Sequence, residues 1–321
     1  MTGSRPVAAR GLVKRYGDLV AVDHVDLTVE RGDVFGYLGP NGAGKTTSLR
    51  MLLGLIRPTE GSARLFGRDP LEDGAKALDG VAGFVEGPRF YPYLSGRRNL
   101  KLLADYDDPV SRSRIEEVLE LVELRDRAKD KVGGYSHGMR QRLGIAGALL
   151  RQPRLLLLDE PTTGLDPAGM RDMRDLVRRL AGEGITIMLS SHLLYEVEEL
   201  CNRVAIVRKG RVIYEGQLRD LLDTAASGYR LRVLEPERAR VVLLAQSGID
   251  DVRLADHELR FTGDEQAVAA LSVALGKAGV GVTALVPETQ SLEELFLGMT
   301  GGDSSDHDRA AEPEPESEVA V

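Results

Sequence analysis

A glycine-rich segment at residues 39–47, GPNGAGKTT, carries the most specific chemistry in the sequence. It matches the pattern G-x-x-x-x-G-K-S/T between a predicted strand and a predicted helix, which is the context that the pattern requires. Glycines let consecutive backbone N–H groups point at phosphates, and the start of the helix adds positive potential. We expect Lys45 to reach the terminal phosphates of a nucleotide and the Thr46 hydroxyl to bind Mg²⁺. The predicted phosphate-binding residues are Gly39, Pro40, Asn41, Gly42, Ala43, Gly44, Lys45, Thr46 and Thr47.

An apolar run that ends in two carboxylates, LLLLDE at 155–160, is the second chemical feature. Its composition is typical of a fully buried strand whose tip delivers acids to a phosphate site. We expect Asp159 to hold Mg²⁺ through water and Glu160 to orient or deprotonate the attacking water. Side chains alternate in direction along a strand, so two neighbours can have two roles. The alternative is a strand that merely ends in a solvated acidic turn.

Strands and helices alternate along the chain around these two segments. This order predicts an α/β fold with a mostly parallel sheet that is covered on both faces. In the helical stretch, Ile115, Val118, Leu119 and Val122 recur at the spacing of one helix face. The predicted elements are three strands within 7–38 with turns at 16–18 and 31–33, a helix from Thr46 to about Leu55, helices within 95–150, the strand LLLLD, a helix from about Pro167, the strand at 185–191 and a helix near 193–200.

The pattern resets near residues 223–228, and a second unit is predicted at 229–300. Its elements are expected in the order strand, helix, strand, strand, helix, strand, followed by a short helix opened by Ser291. Glu294 stands three residues after that serine, which is the spacing of a capping box. Residues 301–321 contain too little apolar material to repay the entropy of ordering, and we expect a disordered acidic tail.

Composition excludes several classes of protein. Of the 321 residues 42% are hydrophobic, yet no apolar run reaches the ~18–20 residues of a membrane-spanning helix, so no direct membrane span is expected. The first ten residues lack the apolar core of a secretory signal, which favours the cytosol. The single cysteine, Cys201, excludes an internal disulfide and is interpreted as structural. The net charge is −8, of which residues 301–321 contribute −6, and this distribution indicates no nucleic-acid partner.

The segment Tyr135-Ser136-His137-Gly138-Met139 adds a family resemblance. Together with the phosphate loop it resembles the signature of the ATP-binding subunits of ATP-binding cassette (ABC) transporters, whose best-known form is LSGGQ. Three of the five positions differ, while Ser136 and Gly138 match. We expect Ser136 to cap a helix that runs to about Leu150 and to present it to a γ-phosphate. In the family, that phosphate belongs to ATP held by the opposite subunit.

The resemblance covers about residues 7–222 and implies further site residues. Tyr16 lies where an aromatic ring stacks on adenine, and Asp166 lies in a loop that crosses the dimer interface while capping the helix at Pro167. His192 resembles the histidine that contacts the γ-phosphate. Glu86 stands where the family has a glutamine; a carboxylate still offers oxygen to Mg²⁺ but donates no hydrogen bond when ionised.

A fold and a domain plan follow from the resemblance. It implies a P-loop NTPase of ABC type with N-terminal antiparallel strands, an ABC ATPase domain at 1–228 and a helical insert at about 87–150. The residue pattern described above adds a small C-terminal α+β domain at 229–300 and the acidic tail at 301–321.

Four aromatic residues within ten positions suggest a partner surface: Phe84, Phe90, Tyr91 and Tyr93. Pro88 and Pro92 prevent a regular helix there, so the stretch would suit the short helix of another protein. Alternatively, these rings close the core of the helical insert.

The resemblance implies a homodimer that binds and hydrolyses ATP with Mg²⁺ at the cytoplasmic face of the cell membrane. A separate permease would be its partner, and the Glu86 variant with the segment after it resembles the branch that exports peptide antibiotics and drugs. The alternative function is a soluble ABC ATPase outside transport, such as one in iron–sulfur assembly.

Overall fold

The computed structural model describes residues 4–107, 109–225, 228–255, 258–288 and 292–300. The strands are β1 (Val7–Tyr16), β2 (Leu19–Val29), β3 (Val34–Leu38), β4 (Glu60–Leu65), β5 (Val81–Phe84), β6 (Leu155–Asp159), β7 (Thr186–Ser191), β8 (Arg203–Arg208), β9 (Arg211–Gln217), β10 (Gly228–Val233), β11 (Ile249–Ala255), β12 (Glu258–Gly263) and β13 (Val282–Glu288). The helices are α1 (Lys45–Leu52), α2 (Gly96–Asp105), α3 (Pro109–Ser113), α4 (Ile115–Leu121), α5 (His137–Leu149), α6 (Pro167–Gly182), α7 (Leu194–Leu200), α8 (Leu218–Ala225), α9 (Pro236–Leu244), α10 (Glu265–Lys277) and α11 (Leu292–Thr300).

A six-stranded sheet with the order β5-β6-β7-β3-β8-β9 forms the centre of the first unit. Its first five strands are parallel, and β9 joins β8 in the antiparallel direction. All five residues of β6 are buried, as are all six of β7, which is the composition expected of strands covered on both faces. The predicted α/β fold is therefore confirmed. Asp159 is 5% exposed, so the acidic end of β6 is not a solvated turn.

A second sheet, β2-β1-β4, is antiparallel and packs with α1 around one apolar cluster. Helix α1 ends at Leu52, earlier than the predicted limit of about Leu55. The reason is Gly54, whose φ of +69° leaves the right-handed helical region while its N–H still donates to the Met51 carbonyl. Strands β4, β5, β8 and β9 and helix α8 were not predicted from the sequence.

The helices of the stretch 95–150 surround their own part of the core. Ile115, Val118, Leu119 and Val122 are all buried, as the helical spacing predicted. The four aromatic residues differ in burial. Phe84 and Phe90 pack against this core, whereas the side chains of Tyr91 and Tyr93 are 55% and 65% exposed.

The C-terminal sheet has the order β11-β12-β10-β13 and is antiparallel. With α9 and α10 it encloses a separate apolar cluster, and the order of its elements is the predicted one. The following helix, α11, belongs elsewhere: Leu292 lies in the cluster of the first unit, where α11 contacts α7. The predicted cap at Ser291 and the predicted acidic tail at 301–321 lie outside the described residues. Within the described ranges, no helix combines the length and apolar character needed to cross a membrane.

Candidate active site

The site is positioned by four neighbouring parallel strands, β5, β6, β7 and β3. Since their carboxyl ends meet at one edge of the sheet, the loops that follow them meet there too. Asp159 at the end of β6 pairs in register with Ser190 of β7, and Leu38 at the end of β3 pairs with Ser191. The phosphate loop, the acidic pair and His192 are thus brought together, and we call this group of residues the phosphate edge.

The phosphate loop has a backbone that requires glycine at several positions. Gly44 precedes α1 with a φ of +97°, and a Cβ there would lie 2.3 Å from the carbonyl oxygen of Ala21. A Cβ on Gly39 would lie 2.5 Å from the carbonyl oxygen of Val207. Neighbouring backbone lies so close to the loop that side chains at these glycines would clash with it. Without side chains there, the N–H groups of the loop and the start of α1 stay accessible. This cradle fits a phosphate group.

Lys45 is 5% exposed and is held by oxygen atoms on several sides. Its Nζ donates to the carbonyl oxygens of Gly39 at 2.8 Å and Pro40 at 3.1 Å, and it lies 3.2 Å from Oε1 of Glu160. The ammonium group is thus placed between the phosphate loop and the acidic pair, where it can meet an anionic substrate.

Asp159 gathers donors on both carboxylate oxygens. Oδ2 accepts from the Thr46 hydroxyl at 2.9 Å and, more weakly, from the backbone N–H of Glu86 at 3.4 Å, while Oδ1 accepts from the Ser190 hydroxyl at 2.6 Å. A hydroxyl and a carboxylate oxygen in contact are the ligand types that Mg²⁺ prefers. The described residues hold no group of three His, Cys, Asp or Glu side chains suited to a metal. A site of this kind fits Mg²⁺ that completes its shell with substrate phosphates and water.

Glu160 occupies the left-handed region at φ +46° and is fixed by four contacts. Its N–H donates to the Ser190 hydroxyl at 3.0 Å, and its Oε2 accepts from the Thr163 hydroxyl at 2.8 Å. Lys45 approaches Oε1, and Nδ1 of His192 lies 3.1 Å from Oε2. Burial alone would raise the pKa of Glu160, but the Thr163 hydrogen bond and the Lys45 charge outweigh it and hold the pKa below its ordinary value of 4.5. Glu160 is therefore an ionised acceptor at neutral pH.

Ser190 was not identified as a site residue from the sequence. Its hydroxyl donates to Asp159 and accepts from the N–H of Glu160, so one side chain fixes both acids. The available signal was a pair of hydroxyl residues directly after an apolar strand.

The Glu86 side chain lies partly away from this network. Its carboxylate forms an ion pair with Arg50 of α1 and is more than half exposed. Its backbone contributes the N–H that reaches Asp159. Tyr16 lies at the end of β1, where its half-exposed ring is 5.1 Å from the Lys14 ammonium.

A second group of predicted residues lies on a different surface, which we call the serine face: Ser136, Gly138 and Asp166. Ser136 caps α5 by accepting from the N–H of Met139 at 3.2 Å, and Asp166 caps α6 by accepting from the N–H of Gly169 at 2.7 Å. Both caps agree with the sequence prediction. All three residues line one cavity of about 390 Å³.

The phosphate edge has its own cavity of about 430 Å³, lined by Thr46, Asp159 and Glu160 among others. Of the described residues, only His137 and Gly164 line both cavities; Ser136 and Gly138 line the serine-face cavity alone. Ser136 and Gly138 thus line a cavity that contains no residue of the phosphate loop.

Comparison with known proteins gives a consistent result. A family described as "ABC transporter" matches residues 22–163. The chain is 39% identical to the bacitracin transport ATP-binding protein BcrA of Bacillus licheniformis, over 91% of this chain and 96% of that protein. It is 36% identical to the daunorubicin/doxorubicin resistance ATP-binding protein DrrA of Streptomyces peucetius, over 97% and 98%.

Solved structures agree with these relatives. One is a dimeric post-hydrolysis state of the ATP-binding cassette MJ0796 bound to ADP and Pi. It matches with a TM-score of 0.60 and 26% identity, covering 66% of this chain and 99% of that chain. Another is cbiO1 from Clostridium perfringens, with a TM-score of 0.63 and 25% identity over 75% of this chain and 95% of that chain.

Proposed function

Because this chain belongs to the ABC transporter ATP-binding family and is an ATPase, we propose that two copies close around two Mg-ATP and drive a separate membrane permease. The observation that carries the proposal is the separation of the serine face from the phosphate edge. Each chain has one of each, so a head-to-tail pair completes two sites, each between the phosphate loop of one copy and Ser136 and Gly138 of the other. The post-hydrolysis dimer of a similar cassette supports this arrangement.

Each copy binds the triphosphate through the N–H groups of Gly39–Thr47, the start of α1 and the Lys45 ammonium. Thr46 and Asp159 would hold Mg²⁺, with Glu86 offering a carboxylate oxygen, and Tyr16 would stack on adenine. When bound, the metal neutralises charge that develops on the phosphate oxygens.

Glu160 orients the attacking water and accepts its proton, and His192 contacts the γ-phosphate from the same side. In the other copy, the N–H groups at the start of α5, which Ser136 caps, stabilise the negative charge that develops on the γ-phosphate. The loop that contains Asp166 crosses the dimer interface next to this helix. Hydrolysis removes the phosphate that joined the two copies, and they separate.

A groove beside α2 offers a docking surface for the permease. It has a volume of about 370 Å³ and is lined by Arg89, Phe90, Tyr91, Asn99, Leu102, Leu103 and Tyr106. Tyr106 is 92% exposed, and Tyr91 and Tyr93 are more than half exposed with their rings 5.8 Å apart. Exposed rings around an apolar groove suit a short helix of a membrane protein, which would hold this chain at the cytoplasmic face of the membrane.

Export of a drug or peptide antibiotic is the transport activity we propose, since similar proteins are named for bacitracin transport and daunorubicin resistance. The alternative is an ATPase in iron–sulfur assembly; the appended unit at 229–300 and the exporter-like segment that begins at Glu86 count against it. A neighbouring reading frame that encodes a membrane protein with several spans favours transport.

Glu160→Gln in the purified chain tests the proposal. We expect ATP binding to persist and hydrolysis to stop, so that size-exclusion chromatography with Mg-ATP shows a stable ATP-loaded dimer. Wild-type chain with Mg-ADP is the control and should remain monomeric. A Glu160→Gln monomer that retains full turnover would contradict both the dimer and the role of Glu160.

A further inference from the structure

Glu196 lies on α7, outside the residues assigned above, and joins the two loops that carry Glu160 and His192. It is 2% exposed. Its Oε2 accepts from the Thr162 hydroxyl at 2.6 Å and from the Ser191 hydroxyl at 3.2 Å. Thr162 follows Glu160 by two residues, and Ser191 directly precedes His192. A single carboxylate oxygen thus links the segment after β6 with the last residue of β7, which directly precedes His192.

Burying the Glu196 carboxyl group costs free energy. Its other oxygen, Oε1, is fully buried and has no hydrogen-bond partner among the described residues. A buried polar atom without a partner costs free energy, and an apolar side chain of similar size would pack at this position without that cost. The neighbouring α7 residue Val197 is buried in just this way. Packing alone therefore does not account for a glutamate here.

Ser190 of β7 provides another link to the end of β6. Its hydroxyl donates to Asp159 and accepts from the backbone N–H of Glu160. The Thr162–Glu196–Ser191 link acts further along both loops, next to the point where Oε2 of Glu160 lies 3.1 Å from Nδ1 of His192. Two independent links hold a pair of loops more rigidly than one.

We propose that Glu196 is a positioning residue for ATP hydrolysis, which holds Glu160 and His192 at their working separation. Glu196 touches neither substrate nor metal in this role. It acts through Thr162 and Ser191, and the inference rests on the proposed assignment of Glu160 and His192. Its loss therefore lowers the rate of the chemical step and leaves nucleotide binding, which depends on the phosphate loop, unchanged.

The test uses three variants of the full chain. Glu196→Leu removes both hydrogen bonds while filling the space. Glu196→Gln keeps one oxygen that can accept from both hydroxyls. Glu198→Gln, on the exposed side of the same helix, is the matched control. We expect Glu196→Leu to lower kcat by about 10- to 100-fold, since small misplacements of reacting groups cost this much. KM for ATP should not change, Glu196→Gln should restore most of kcat, and Glu198→Gln should behave as wild type. The thermal midpoint of Glu196→Leu should fall modestly, because the buried Thr162 hydroxyl loses its acceptor.

Thr162→Val supplies a second, independent measurement. If Thr162 and Glu196 act as one link, the Thr162→Val and Glu196→Leu double variant should lose no more activity than the worse single variant. The proposal is overturned by full kcat in Glu196→Leu, by a loss that Glu196→Gln does not restore, by additive effects, or by a loss of kcat that follows the thermal midpoint across Glu196→Leu, Thr162→Val and the double variant.

Failure of this inference is distinguishable from failure of the proposed function. If Glu160→Gln is inactive while Glu196→Leu is fully active, only the positioning role of Glu196 is wrong. If Glu160→Gln keeps full turnover, the assignment of Glu160 fails first.

Discussion

The phosphate edge and the serine face are both built at the ends of regular elements, but they differ in what they leave open. At the phosphate edge, Lys45 and Asp159 are each 5% exposed, and their charges are met by other groups of the same chain. At the serine face, Ser136 and Asp166 are exposed, and each is engaged in capping its own helix. At the phosphate edge the charged side chains are paired within the chain, while the serine face presents helix N-termini to solvent.

This difference follows from the cost of burying charge. A lysine and two carboxylates can be held out of water only when hydrogen bonds and opposite charges accompany them, so they must be assembled within one folded chain. A helix N-terminus carries only partial charge and remains stable when solvated. A helix N-terminus can therefore remain exposed at a surface and bind an anion that another molecule carries. The comparison predicts that variants at the two regions fail in different ways.

Asp159→Asn should give the largest effect, because it removes the charged partner of Thr46 at the predicted Mg²⁺ site. We expect the ATP turnover rate to fall by about 10²- to 10³-fold, as for loss of one preorganised electrostatic contact, and its dependence on Mg²⁺ concentration to weaken. Asp175→Asn, an identical change on the exposed side of α6, should have no effect. Steady-state phosphate release at a series of Mg²⁺ concentrations measures the turnover rate and its Mg²⁺ dependence in both variants. Normal Mg²⁺ dependence in Asp159→Asn would show that the metal is held elsewhere.

Ser136→Ala should give a smaller loss of a different kind. Ser95 provides a matched control, since its hydroxyl caps α2 by accepting from the N–H of Arg98 at 3.2 Å. Loss of either cap should cost about 1 kcal/mol of unfolding free energy. Only Ser136→Ala should also lower turnover, by about tenfold, because it removes a hydrogen bond to a charged phosphate in the other copy.

Urea unfolding, ATPase assays and ATP titration of the isolated chain separate these effects. ATP affinity of the single chain should be unchanged in Ser136→Ala, because the phosphate loop is intact. Equal loss of turnover in Ser95→Ala and Ser136→Ala would reduce the serine face to a matter of helix stability and remove the distinction between the two regions.

The sequence predicts the phosphate edge and the serine face because their chemistry lies in short contiguous patterns. Gly44 and Lys45 indicate a phosphate loop, and Ser136 and Asp166 indicate the starts of helices. Loops and helix caps both depend on local backbone geometry, which a short sequence pattern can encode. Ser190 and Glu196 escape such reasoning. Their roles arise from the register of β6 against β7 and from the packing of α7, which no local pattern encodes.

The missed strands have a related cause. In β4, EGSARL, most side chains are exposed, and β9 lies at the edge of its sheet, so neither has the apolar run of β6. Helix α11 packs on α7 although it follows the C-terminal sheet in the sequence. Amphipathic character predicts that a helix has a buried face, but it does not predict which core receives that face.

A double variant, Tyr91→Ala with Tyr93→Ala, lies outside both regions and should leave their chemistry intact. We expect the purified chain to keep its ATP affinity and turnover within about twofold of wild type, since surface changes rarely alter stability by more than ~0.5 kcal/mol. Co-purification with the permease should be lost because the exposed rings supply the docking contact. Val241→Ala with Leu244→Ala, which removes exposed apolar groups from α9, is the control and should keep the complex. An undiminished complex in the tyrosine variant would place docking on another surface.

Thr163→Val should give the smallest effect, a change in how the phosphate edge responds to acid. The pKa of Glu160 is held below 4.5 against burial by Thr163 and Lys45, so its contribution to folding is fully present above pH 4.5 and is lost as pH falls through the lowered value. Removing the Thr163 hydroxyl raises that pKa, so the contribution of Glu160 to folding should become smaller and its loss should be complete at a higher pH. Carbon-13 titration of the glutamate carboxyls checks this shift residue by residue.

Glu117, whose pKa is lowered by a hydrogen bond from Arg114, is the internal control and should titrate as in the wild-type chain. An unchanged Glu160 titration would mean that Lys45 and His192 offset the burial without Thr163. The phosphate edge would then depend on charged neighbours alone, and its contrast with the serine face would rest on those charges instead of on a network that includes the hydroxyl.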